Sequence, residues 1–324
     1  MLVKDLRKTL EKYDKKEMTD IVVELYKRLP KKIKEDYDID KFIEDINNKT
    51  KKEEKKISFD DLCKEMRYFL DCAEAGYYSS PNKIVPKKER SNWRFKAKRY
   101  YKELTKTIPT TDIGVKSTKL LIELYELVSE GTYTLVFTNW DTFKALGVSQ
   151  TEYFDMLLKR ILFTGESINN IKVCVDLLNS ERDPDVLAMF LIDIFIDNLK
   201  TEDSKVTAIT LLDEKVIEVN DKLKNLGKRN NYDYEYKLRS DNNIYTETIT
   251  RLYFSSFEVD KGISYFKKYY KERDVEIKEY YLLDILKELE LYEDYITEYD
   301  KASKKIELRE SLTEDYKKIK ELVW

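Results

Sequence analysis

Apolar residues recur three and four positions apart along most of this chain. Phe154, Leu157, Leu158, Ile161 and Leu162 fill the i, i+3, i+4, i+7, i+8 template of a helix that buries one face. Ile168, Ile171, Val175 and Leu178 form the next stripe, and Phe59, Leu62, Met66, Phe69 and Ala73 an earlier one. Nearer the N-terminus, Leu6, Leu10 and Tyr13 mark a short helix, and Ile21, Val22, Leu25 and Leu29 share one face of a second.

Polar residues punctuate these stripes. Asp14-x-x-Glu17 has the form of a capping box, and Pro30 ends the helix that follows it. Ser58-x-x-Asp61 opens the Phe59 stripe and Gly76 closes it. Helices are expected over about 87–106, 112–130 and 203–226, the last stopping at Gly227. Asp183-Pro184-Asp185 opens a helix carrying Leu187, Phe190, Leu191, Ile194 and Phe195. Val186, Met189, Ile192 and Ile196 make it apolar nearly all round, so it is expected to be the most buried element.

Between helices, Tyr77–Pro86 reads as a loop, and so does the polar, tyrosine-bearing stretch Asn230–Asn243. The strand-forming residues Thr132–Thr138 are too isolated for a sheet, so 131–148 is expected as an ordered loop. Asn47–Lys56 has no apolar residue and reads as a linker, preceded by short helical turns around Tyr37-Asp38-Ile39-Asp40. The expected organisation is an N-terminal helical unit (1–47), a charged linker (48–57), a central helical array (58–226) and C-terminal helical repeats (227–324). The fold class is all-α, an α-solenoid-like array of antiparallel helix pairs.

Composition sharpens that picture. Seven glycines and five prolines in 324 residues leave few breakers of long helices. There is no histidine, which removes the commonest general base and metal ligand. No Ser-His-Asp or Cys-His pair can form, and neither a dinucleotide-binding nor a Walker glycine loop occurs. Asp38-x-Asp40 and Asp183-x-Asp185 are short acidic pairs of the kind that cap helices. No catalytic residue, cofactor or metal is therefore expected. Cys63 and Cys72 lie about 180° apart on one helix and cannot pair, and with Cys174 they fit reduced thiols in a cytoplasmic protein. The most apolar stretch, Val186–Ile196, is interrupted by Asp193 and is about half the length of a membrane span.

Charge is nearly balanced overall, 60 basic against 63 acidic residues, but unevenly distributed. From Lys83 to Lys102 nine lysines and arginines face one acid, with Trp93, Phe95, Tyr100 and Tyr101 interleaved. On a helical wheel Trp93, Ala97, Tyr100, Leu104 and Ile108 fall on the core arc, while Lys87, Arg94, Lys98 and Lys102 share an adjacent one. Lys87, Lys88, Arg90, Arg94, Lys98, Arg99 and Lys102 are thus the candidate partner- or phosphate-binding residues. Asp284, Glu288, Glu290, Glu293, Asp294 and Glu298 make the opposite candidate, an acidic patch that could pair with the basic one between copies.

Asp260-Lys261-Gly262-Ile263-x-x-Phe266 aligns with Glu293-Asp294-Tyr295-Ile296-x-x-Tyr299 at an offset of 33 residues. Leu291–Ala302 resembles the first helix and turn of a tetratricopeptide repeat, and Asp183–Val186 resembles a HEAT-repeat turn. The opening, with Leu6, Leu10, Glu24-Leu25-Tyr26 and Lys34-Glu35-Asp36-Tyr37, resembles bacterial helical proteins to which no activity attaches. These resemblances imply a degenerate helical-repeat architecture and nothing about chemistry. The function they suggest is a non-enzymatic protein-interaction scaffold, with another protein as partner and no membrane. The alternative is a nucleic-acid-associated protein that uses the basic helix.

Overall fold

The structure, a computed structural model, describes residues 3–36, 39–44, 58–226 and 232–323. The chain divides into two compact units, Met1–Ser58 and Phe59–Trp324, and every regular element among the described residues is a helix. No helix among them is long and apolar enough to cross a membrane.

The first unit holds α1 (Val3–Leu10), α2 (Lys15–Arg28), α3 (Lys31–Asp36) and α4 (Ile39–Glu44). The capping box forms as expected: Glu17 N–H donates to the Asp14 carboxylate at 2.8 Å, and Asp14 N–H to that of Glu17 at 2.9 Å. Leu29 leaves the helix just before Pro30. Nothing on α2 is buried, so the stripe of Val22 and Leu25 lies at the surface of this unit. Tyr37, Asp38 and the expected linker at 48–57 lie outside the described residues.

The second unit begins with α5 (Phe59–Glu74), α6 (Lys87–Arg90), α7 (Trp93–Thr105), α8 (Asp112–Glu130) and α9 (Thr142–Leu146). It continues with α10 (Gln150–Leu162), α11 (Ile168–Leu178), α12 (Ala188–Asn198) and α13 (Glu202–Lys224). The last five helices are α14 (Tyr232–Ser255), α15 (Val259–Tyr269), α16 (Val275–Glu288), α17 (Tyr292–Ser303) and α18 (Glu310–Val323). One apolar cluster runs from Leu62 on α5 to Leu252 on α14, and a second joins α15–α18 through Phe266, Leu286, Tyr295 and Leu312. Gly262 allows α15 to approach α14: a Cβ there would lie 2.5 Å from the Phe254 ring.

The 33-residue offset has a structural counterpart. Phe257 and Glu290 both adopt the left-handed conformation (φ 60° and 57°), each between two helices. The same bonds close both turns: Phe257 N–H to Phe254 O and Glu258 N–H to Tyr253 O, then Glu290 N–H to Lys287 O and Leu291 N–H to Leu286 O. Two successive helix–turn–helix units therefore share one connection.

Five expectations are corrected. The basic helix is two helices, because the chain turns at Ser91–Asn92. The segment 131–148 contains α9, and its loop is held by Phe137 stacked 3.9 Å from the Trp93 ring. The Asp183-Pro184-Asp185 segment is a turn, with Asp185 N–H bonded to the Asp183 carboxylate at 3.1 Å, and α12 starts only at Ala188. That helix is not the most buried, since Leu187 and Phe190 beside and on it are exposed.

The fifth correction is the largest. Tyr232–Asn243 is helix, the first half of α14, and the asparagines read as loop formers are its tethers. Asn242 donates to Tyr269 O at 2.8 Å. Asn243 accepts from Lys271 N–H at 2.7 Å and donates to Lys271 O. The amides thus fix α14 to the α15–α16 connection.

Candidate functional site

α14 carries Glu235, Arg239, Asn243, Glu247 and Arg251 at four-residue intervals. They line a cleft of about 590 Å³ together with Leu187 beside α12 and Met189 on it, the 270–273 connection, and Tyr281, Asp284, Ile285 and Glu288 of α16. Its apolar walls face solvent: Leu187, Tyr232, Tyr236 and Tyr281 are all exposed. A concave surface with open apolar walls and fixed charges is suited to holding a ligand.

The charges are sorted along the cleft. At one end the Arg251 side chain is only 3% exposed and meets Glu288 at 2.7 Å, Glu247 at 3.0 Å and Asp193 at 3.4 Å. A buried guanidinium needs such partners, but one cation cannot offset three carboxylates and the nearby Asp284. Burial pushes the Glu247 carboxyl up against the pull of Arg251, with Glu288 and Asp193 adding to the rise. Burial likewise raises the carboxyls of Asp193 and Asp284.

At the other end the ratio is inverted. Glu235 bonds Arg239 at 2.8 Å and Arg273 at 3.0 Å, and these two guanidiniums hold its carboxyl below the usual range. Arg182 and Lys271 line the same cleft. Sequence reasoning missed this site because it read half of α14 as loop; the signal was the four-residue spacing from Glu235 to Arg251.

The basic segment emerges as a surface in part. Trp93, Ala97, Tyr100 and Leu104 are buried as the wheel predicts, while Ile108 is exposed because α7 has ended at Thr105. Lys87, Lys88, Arg94, Lys98 and Lys102 are exposed, with no carboxylate of the described residues within ion-pair distance. Arg99 is paired with Glu65, and Arg90 is half-buried and donates to Ser79 O at 3.0 Å. Lys98 leans towards the end of α9, where a Cβ on Gly147 would lie 2.7 Å from its Nζ. Phe95 is 63% exposed among these cations, and the Arg94 guanidinium lies 4.8 Å from its ring centre.

The acidic segment does not form one face. Glu298 is 3% exposed and is enclosed by Lys267 and Lys301. Glu288 is bound to Arg251, and Asp284 lines the cleft. Of the six, Glu290 and Glu293, with the half-buried Asp294, lie outside the cleft without an ion-pair partner among the described residues.

Among the described residues no group of histidine, cysteine and carboxylate side chains could hold a metal ion. The three thiols are unpaired, and burial pushes that of Cys174 up to about 12, far from a reactive thiolate. What the cleft offers is shape, apolar wall and sorted charge. No protein-family model matches the chain, and neither a curated protein nor a solved structure matches it, so the site stands on its own geometry.

Proposed function

We propose that this protein is a cytoplasmic, non-enzymatic interaction scaffold whose repeated helix pairs present the α12–α14–α16 cleft to a segment of another protein. The observation that carries this reading is the pairing of a cleft of about 590 Å³ with exposed apolar walls at Leu187, Tyr232, Tyr236 and Tyr281. Large side chains left in solvent along a groove mark a contact surface rather than a core. A random peptide library displayed on phage and selected against the full chain tests it. Enriched sequences should lose binding to Tyr236→Ala and Leu187→Ala, two exposed positions whose truncation leaves the core intact. Absence of enrichment, or enrichment indifferent to both changes, overturns the reading.

A second reading rests on Phe95. An exposed ring among unpaired cations is the arrangement on which a nucleic-acid base stacks while its phosphates are neutralised. Anisotropy titration of labelled single-stranded oligonucleotides at two salt concentrations tests it. Binding should weaken steeply with salt, lose about 1–3 kcal/mol in Phe95→Ala, and disappear on reversing Arg94, Lys98 and Lys102. No binding at low salt removes this reading.

A further inference from the structure

The cleft has a polarity, and the polarity specifies an occupant. We propose that the cleft takes an extended protein segment with a basic side chain near Glu247 and Asp284 and an acidic side chain about four residues away near Arg239. The proposal rests on the reading of the cleft as the partner site and adds the chemistry and register of the partner.

At the α16 end Glu247, Asp284 and Glu288 line the cleft beside a single guanidinium, with Asp193 behind it. Asp284 lies within ion-pair distance of no cation among the described residues, so it is the carboxylate left to meet a ligand. An arriving ammonium or guanidinium would relieve the repulsion among these acids, and the same burial that raises the carboxyls of Glu247 and Asp284 would strengthen the contact. The opposite end holds one carboxylate, Glu235, between Arg239 and Arg273, and the bidentate geometry of arginine favours a second carboxylate there.

The distance between the ends follows from α14. Arg239 and Glu247 are eight residues apart, a rise of about 12 Å along the helix. An extended chain covers that in about four residues. Tyr236, Ile244, Tyr281 and Ile285 lie along the cleft between or beside the two ends. They suit apolar side chains in the middle of the segment.

The test uses labelled, capped five-residue peptides with lysine and glutamate at the ends and leucines between, made in both orders, and a neutral analogue with glutamine at both ends. Wild-type protein should bind one charged order about tenfold tighter than the neutral analogue, a gain typical of a charge-assisted contact. Asp284→Asn should cancel the contribution of lysine and leave that of glutamate, and Arg273→Gln should do the reverse. Equal binding of all three peptides, still lost in Tyr236→Ala, would overturn the polarity and leave the cleft a peptide site. Binding of no peptide in a manner sensitive to Tyr236→Ala would overturn both.

Discussion

The basic segment at 83–102 and the acidic segment at 284–300 carry comparable excess charge, yet the fold leaves most of the first unpaired in solvent and ties Glu288 and Glu298 of the second to cations of other helices. The difference lies in the neighbouring helices. Glu298 on α17 meets Lys267 from α15, and Glu288 on α16 meets Arg251 from α14. Around α7 the neighbour α5 answers Arg99 through Glu65, while its Arg67 is occupied with Glu123 of α8. A run of like charge therefore predicts an exposed face only when the packed partners offer no opposite charge, and that information lies far away in the chain. Energetically the two segments should behave as different materials: changes inward should damage folding, and changes outward should damage only binding.

The largest effect should come from Arg251. Arg251→Ala leaves the mostly buried Glu247 without its cation and should cost about 3–5 kcal/mol, read as a lower urea midpoint with an unchanged slope. A loss no larger than that of a surface change would mean that the network is solvated. Glu298→Gln should cost less, about 1–3 kcal/mol, because Lys267 and Lys301 retain access to water. Burial pushes the Glu298 carboxyl up, but the bonds and charges of the two lysines outweigh it and leave it below the usual range. A depressed folded pKa supplies stability above the unfolded value, about 4.3, and loses it as pH falls through the folded one. The deficit of Glu298→Gln should accordingly be present at neutral pH and shrink below about pH 4.

Sequence periodicity located these helices better than it located the site. α8 spans Asp112–Glu130 as read, because Thr111 caps it, accepting from Gly114 N–H, and its interior repeats apolar residues without interruption. The Phe154–Ile161 stripe is buried for the same reason. α14 failed because its first two turns pack little apolar surface: Tyr232, Tyr234 and Tyr236 are exposed, and Asn242 and Asn243 act through amides that a hydrophobic pattern does not register. The cleft was hidden by that error. The basic surface was legible in outline, but the exposure of Phe95 and the burial of Trp93 depended on which neighbours pack on α7.

On the outward segment the expected effects on stability are small. Lys98→Glu should cost about 0.3–1 kcal/mol, since it places a negative charge beside the C-terminal carbonyls of α9. Arg94→Glu and Lys102→Glu should each stay within about 0.5 kcal/mol, by urea denaturation. If either destabilises the fold as much as Glu298→Gln, the contrast between the two segments fails.

The finest test lies within the acidic segment itself, where Asp284 and Glu298 should respond to pH in opposite directions. Burial raises the Asp284 carboxyl, Glu288 and Asp315 push it further, and Lys287 and Arg251 only partly oppose them. For an acid raised in the folded state, ionisation costs stability at every pH above the folded pKa, and the cost vanishes below the unfolded one, about 3.9. Asp284→Asn should therefore stabilise the protein at neutral pH, by no more than about 0.5 kcal/mol for a change at an exposed residue. The gain should shrink as the solution is acidified. Glu298→Gln, in the same run of acids, should be destabilising where Asp284→Asn is stabilising. Thermal melts of both variants and the wild type between about pH 7 and about pH 3 would read the two slopes side by side. Slopes of the same sign would mean that Asp284 has a cation partner in solution, and that the α16 end of the cleft is already neutralised without a ligand.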